Sequence, residues 1–123
     1  RLAARQTRAT AGGAFTLPLS FAAVDGAGRD IPGAAQTVRL DSAEKEIAVA
    51  GVPEPAFLSI NRDAGFYGVC ADLSVTPGRL ALQARLDPNA FNRVEAMRRL
   101  TDIERRRLLD DPSAMPSESW LAC

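Results

Sequence analysis

The sequence predicts a mainly β chain: a β-sandwich of about six to seven short strands, followed by two or three α-helices. Three observations predict it. Short runs of alternating apolar residues fill the chain before Thr76, and Gly-, Pro- and Asp-rich turns separate them. From Thr76 onward the pattern changes to helix starts, at Thr76, Asp87 and Ser117 with a proline beside a polar capping residue. The composition, 46% apolar and 24% charged over 123 residues, is that of an ordinary globular domain. A chain of this length buries about two-thirds of the surface its unfolded form exposes.

The clearest strand is FTLPLSFAAVD, where Phe15, Leu17, Leu19, Phe21 and Ala23 alternate onto one face. Pro18 cannot donate to a ladder, so this strand is expected at an edge or with a bulge. DGAGRD follows as a hairpin turn. TVRLD places Val38 and Leu40 together, and EIAVAG does the same with Ile47 and Val49, with SAEK as a loop between them. AFLSI turns Leu58 and Ile60 inward. NRDAG is turn chemistry, and FYGVCADLSV reads as a further strand with Val69, Ala71 and Leu73 on one side. Short strands at this spacing are the pattern of an immunoglobulin-like sandwich.

TPGRLALQARLD alternates like a strand at Leu80, Leu82, Ala84 and Leu86. Thr76 as a cap, Pro77 at the first helical position and a run of Leu, Ala, Gln and Arg favour a helix instead. DPNAFNRVEAMRRL starts a firmer helix, with Asp87 as its cap, Pro88 in the first turn and Phe91, Val94 and Met97 along its apolar side. TDIE, from Thr101 to Glu104, matches a capping box and predicts a break and restart, with Ile103, Leu108 and Leu109 as the apolar side beyond it. DDPSAMPS is a loop. Ser117 then caps a last helix carrying Trp120 and Leu121. A chain that starts at Arg1 and stops as a helix begins is expected to be a fragment of something longer.

Several function classes are disfavoured. The formal net charge is zero, so the basic footprint of nucleic-acid binding is missing. No apolar run approaches a membrane span, and RLAARQTRAT lacks the apolar segment of a signal peptide. There is no histidine, the commonest general base and zinc ligand. Cys70 and Cys123 cannot by themselves build a structural zinc site. A disulfide between them is not the favoured reading, and Cys70 reads as a small buried apolar group.

Other groups have plain structural readings. Arg98, Arg99, Arg105, Arg106 and Arg107 invite a phosphate reading, but Glu95, Asp102, Glu104, Asp110 and Asp111 are interleaved with them as on a solvated or interface helix face. Asp25, Asp30, Asp41 and Asp63 sit in turns, where aspartate is favoured by local hydrogen bonds. Ser20 and Ser59 have no histidine to activate them. Phe57, Phe66 and Tyr67 read as core, with an exposed aromatic platform for carbohydrate or a protein partner as the alternative. No phosphate loop, G-x-S-x-G or H-E-x-x-H is present.

In order along the chain, Leu2, Gln6 and Thr10 in RLAARQTRAT, then LPLSFAAVDGAGRDIP, VPEPAFLSINRDAGFYGV and DPNAFNRVEAMRRL, resemble bacterial aminopeptidase N, a family of zinc-dependent gluzincin aminopeptidases. That family reads D-x-x-G-[RK] ending in I-P at the second segment, R-G-F-S-A-P-V at the third and D-x-F-N-R-W-E-A-x-x-x-L at the fourth. The resemblance runs from about Arg1 to Leu109. Val94 stands in place of the usual tryptophan, Asp63 to Tyr67 depart from R-G-F-S-A, and the AGGA linker is short, as in a divergent branch.

The resemblance implies a β-sandwich domain over 1–75 and the first helices of a truncated C-terminal helical domain over 76–123. It favours helix over TPGRLALQARLD. It implies a parent that removes N-terminal residues from peptides with zinc in an upstream catalytic domain. There the family has two zinc histidines, a zinc glutamate, a base glutamate, a G-A-M-E-N loop and a tyrosine, none of which maps here. The expectation is therefore no catalytic, cofactor-binding or metal-binding residue in this chain, and a spacer role. Its partners would be the catalytic and helical domains of a cytoplasmic enzyme, with no nucleic acid and no membrane. The alternative is a free-standing sandwich that binds carbohydrate or a protein partner.

Overall fold

A computed structural model describes residues 2–7, 12–49, 51–66, 68–70 and 72–123. Thr10, Tyr67 and Ala71, which the sequence reading used, lie outside the described residues. Five strands form two antiparallel sheets: β1 (Leu2–Arg5), β2 (Leu17–Val24), β3 (Gln36–Leu40), β4 (Glu44–Ile47) and β5 (Phe57–Ile60). A short 3-10 turn (Arg62–Ala64) and three helices follow: α1 (Pro77–Leu86), α2 (Ala90–Asp110) and α3 (Glu118–Leu121). The helices hold more residues than the strands, so the chain is mixed α/β and not mainly β. The strand number, five among the described residues, is below the expected six to seven.

The central strand is β2, flanked in the order β3-β2-β5. Its alternation sends Leu19, Phe21 and Ala23 to one face. There Leu19 and Phe21 meet Ile47, Leu2 and Ala4 from the β1–β4 ribbon. Ala23 packs with Ile31 and Ala34. Phe15 lies before the strand and is half exposed.

Pro18 shows how a proline fits a central strand. The carbonyls of Ser20 and Val24 accept from Asn61 and Ala56, so even-numbered residues of β2 direct their backbone groups toward β5. The β5 pairing covers only Phe21 to Val24. Pro18 is paired with Arg39 of β3, and its missing N–H points past the end of β5, where no ladder bond is lost.

Strand β5 differs from expectation. Leu58 and Ile60 do face the sheet core, but Phe57 and Ser59 on the opposite face are the more deeply buried pair. A half-buried strand would expose that second face, but α1 and α2 close over it and over the strand's open edge. Gln83 donates to the Leu58 carbonyl at 3.4 Å and Asn92 to the Ile60 carbonyl at 3.1 Å. Edge groups left unpaired by β2 are thereby satisfied.

FYGVCADLSV is not a strand among its described residues. Val69 and Leu73 are 91% and 95% exposed. The Asp72 carboxylate accepts from the Ser74 N–H and hydroxyl at 2.8 and 2.6 Å, a local turn that competes with ladder formation. SAEK is a shorter loop than expected, because β4 begins at Glu44 and pairs with β1 from Arg5 to Leu2.

Helix α1 forms as expected. The Thr76 hydroxyl accepts from the Arg79 N–H, and Pro77 opens the first turn. Helix α2 starts later than expected: its cap is Asn89, which accepts from the Asn92 N–H at 3.1 Å, whereas Asp87 ends α1. The buried stripe of α2 is Asn92, Ala96, Leu100 and Glu104, spaced by four. Phe91 and Val94 point the other way, at 48% and 71% exposure. Leu100 and Ala96 pack with Leu80 and Ala81 in a core of their own, separate from that of the sheets, with Trp120 against it. No break occurs at TDIE. In a continuous helix the N–H groups there already have partners one turn back, so the box has nothing to cap.

Candidate functional site

Ser59 is fully buried at the centre of a polar joint between the sheet and the helices. Strand β5 aims its hydroxyl at the corner between α1 and α2. The hydroxyl donates to Asp87 Oδ1 at 2.9 Å and accepts from Arg62 Nε and Asn92 Nδ2, each also at 2.9 Å. Asp87 is fully buried as well. Its carboxylate also accepts from the Asn89 N–H at 2.8 Å and Gln83 Nε2 at 2.9 Å, so three donors compensate the buried charge. The Asp87 carbonyl accepts from Arg93 at 2.9 Å.

Arg62 carries the joint outward. Its guanidinium makes a two-pronged pair with Asp30 at 2.8 and 2.6 Å, and this pair holds the Asp30 carboxyl below the usual carboxylate range. One residue further on, Asp63 accepts from Asn89 Nδ2 at 2.7 Å. The loop that presents both side chains is bent sharply, with positive φ at Asn61, Asp63 and Ala64.

The chemistry open to this cluster is structural. Ser59 and Asp87 have no surface a substrate could reach, and the Ser59 proton is committed to a carboxylate that two further donors also hold. The adjoining clefts are small. One of about 40 Å³ lies against Ile60, Asn92 and Arg99, and one of about 190 Å³ lies between Phe57, Val75 and Arg79. Both fall below the about 300 Å³ at which small-molecule sites begin.

The other candidates are scattered. Asp25 caps its own turn, accepting from the Ala27 and Arg29 N–H groups, and Asp41 pairs with Arg39 and Lys45. Only Asp30 and Asp63 of the four turn aspartates reach the joint. Ser20 donates to the Arg62 carbonyl at 3.3 Å. Arg98 pairs with Glu95 and Asp102, Arg105 with Asp102 and Arg107 with Glu104, while Arg99 donates to the Asp72 carbonyl; Arg106 is exposed. Phe57 is buried and cannot serve an exposed aromatic platform, and Phe66 packs with the sheet core. Cys70 and Cys123 are both free thiols, and burial pushes the Cys70 thiol up. Among the described residues no three His, Cys, Asp or Glu side chains are grouped to hold a metal ion, and no helix is long and apolar enough to cross a membrane.

Sequence reasoning missed this joint. The sequence places Ser59 as a serine without a base and Asp87 as a helix cap, and does not bring the two together. The one available signal was the pair of polar residues, Asn89 and Asn92, bracketing the first turn of a helix whose neighbours are apolar.

The sequence matches no family model and no curated protein. The fold does have a counterpart: it matches a segment of a much larger solved protein. That protein is aminopeptidase A of Legionella pneumophila, in complex with aspartic acid, at a TM-score of 0.69 and 21% sequence identity. The match covers 86% of this chain and 12% of that one. At this identity the likeness is one of fold.

Proposed function

We propose that this chain is a non-catalytic part of a zinc-dependent aminopeptidase of the gluzincin family. In this reading, residues 1–75 are its small immunoglobulin-like sandwich and 76–123 open its C-terminal helical domain. Its role is that of a spacer: it holds the catalytic domain and the helical domain at a set distance, so that together they enclose a peptide-sized chamber. The observation that carries the reading is the fold likeness of 86% of this chain to a stretch that makes up 12% of an aminopeptidase. The order of the four sequence segments supports it independently.

The zinc belongs to the parent's upstream catalytic domain. The residues of this chain do not fit a zinc site, since it has no histidine and its described acidic and cysteine side chains form no cluster. The parent would act on the N-termini of peptides in the cytoplasm, and the reading gives this chain no nucleic-acid or membrane partner.

Sequencing of the gene on both sides tests the proposal. An H-E-x-x-H upstream, in frame, is the expected result, and an upstream region without one overturns it.

A further inference from the structure

The division at residues 75 and 76 follows secondary structure, but a buried set of directional contacts crosses it. Ser59 and Arg62 lie before the division, and Asp87 and Asn92 after it. Ser59 donates to Asp87 and accepts from Asn92 across the division, each bond 2.9 Å long between fully or nearly fully buried side chains, while the part-buried Arg62–Ser59 bond lies on the sheet side and orients the hydroxyl. Hydrogen bonds weaken steeply as they lengthen or bend. A rotation of the helices by an ångström would break the Ser59 bonds to Asp87 and Asn92 and the Asn92 bond to the Ile60 carbonyl, in a place water does not reach. The turn before Asp30 adds a second crossing: a Cβ on Gly28 would lie 2.6 Å from the Leu86 carbonyl.

The ribbon β1–β4 is attached differently. Leu2, Ala4 and Ile47 lie against Leu19 and Phe21, contacts without directional preference. Gln6 pins the end of β1 to the Phe15 backbone, donating and accepting at 2.9 Å, at a site exposed to water. The strained loop at Asn61, Asp63 and Ala64 points the same way as the joint. Left-handed backbone at non-glycine residues persists only where the surroundings over-determine it, and here it delivers Arg62 to Ser59 and Asp63 to Asn89.

We propose that the sheet β3-β2-β5 and the helices α1 and α2 form one rigid unit, clasped by Ser59, Asp87 and Asn92 with Arg62 holding the Ser59 hydroxyl in place, and that the β1–β4 ribbon is the part that opens separately. A buried polar network with every member satisfied selects a single geometry. The boundary read from secondary structure is then not a hinge. A larger protein built on this chain would bend on either side of the unit and not within it. This inference stands on the joint alone and does not depend on the peptidase reading.

Native-state hydrogen exchange of the full chain in rising urea tests it. Amides of Phe57–Ile60 and of Asn92 to Leu100 should open with one free energy and one urea slope, and the ribbon should open earlier. Helix amides that open on a shallower slope while β5 stays closed would overturn it. So would a ribbon that opens only together with the unit. Ser59→Ala should split the unit, so that α2 amides exchange about tenfold or more faster than those of β5, the effect of losing about one buried hydrogen bond. If that variant does not fold, Asp63→Gly, which removes the exposed acceptor of the Asn89 amide across the division at a positive φ that glycine tolerates, should produce a smaller split. Exchange unchanged from the parent chain in Asp63→Gly, or in a folded Ser59→Ala, would sink the proposal. Thr37→Ala on the exposed side of β3 is the control.

Discussion

At the scale of single residues, backbone geometry decides which small side chains are interchangeable. Gly28 has φ of +78° and sits against the Leu86 carbonyl at the end of α1, whereas Gly26, two residues earlier in the same turn, has open space around its Cβ position. Left-handed backbone costs a residue with a Cβ about 1–2 kcal/mol, and the clash with a carbonyl adds to that. Gly28→Ala should therefore lower stability by at least about 2 kcal/mol, while Gly26→Ala stays within about 0.5 kcal/mol. Urea denaturation of both variants makes the comparison, and equal effects would contradict the close approach of turn and helix. Ala64 presents the reverse case, with φ of +50° on a residue that has a Cβ. Ala64→Gly removes about 1–2 kcal/mol of strain and adds about 0.5–1 kcal/mol of unfolded-state entropy. A small net gain, about 0.5–1 kcal/mol, is expected in the same measurement.

At the scale of elements, α3 is only one turn long and is held by what it docks on. Glu104, buried in the middle of α2, accepts from the Ser117 N–H at 2.7 Å and the Ser117 hydroxyl at 2.8 Å, at the start of α3. It also pairs with Arg107 at 2.7 Å. The Arg107 guanidinium, then the Ser117 N–H, hold the Glu104 carboxyl down to about 2 from its ordinary 4.5. Because the folded pKa lies below the unfolded one, this contribution is full above about pH 5 and is lost as the pH falls toward 2. Trp120 is the chain's one tryptophan and donates from Nε1 to Thr101 at 3.1 Å, so its fluorescence reports the docking. Acid titration should shift the emission to the red between about pH 5 and pH 2. Glu104→Gln should remove the pH dependence and show the undocked signal throughout; a wild-type titration curve in that variant would refute the assignment.

These elements also show what could be read from the sequence. Strands β2 and β3 and helix α1 follow from alternation and capping, which are local. The second buried face of β5 does not, because what covers Ser59 lies some thirty residues ahead, and alternation reports only that one face is apolar. The apolar side of α2 misled for the same reason. Its inward stripe is polar at both ends, Asn92 and Glu104, since it faces carbonyls and Ser117 and not an oily core. The strand expected at Val69 to Leu73 has the right residue types, but its described residues pair with no strand, which composition cannot reveal.

At the scale of the whole molecule, the notable feature is what α2 turns outward. Phe91 and Val94 are three residues apart and therefore neighbours on the helix surface, and both are largely uncovered. Met115 and Leu121, from the segment that folds back over the helices, are exposed as well. Single exposed apolar residues are ordinary, whereas adjacent ones on a helix mark a surface that is stabilised by being covered. Little opposes contact between copies: the formal net charge is zero, so no long-range repulsion keeps them apart. The isolated chain should therefore self-associate in a concentration-dependent way, visible by sedimentation velocity over a hundredfold range (~1–100 µM, where contacts of modest affinity are populated). Phe91→Ser combined with Val94→Lys should give a monomer at every concentration. Its stability should fall little, since both side chains already face water and their removal leaves no cavity. A wild-type chain that stays monomeric throughout would mean that these residues are too dispersed to act as a surface. The outward side of α2 would then be tolerated exposure, and the case for a covering partner there would fail with it.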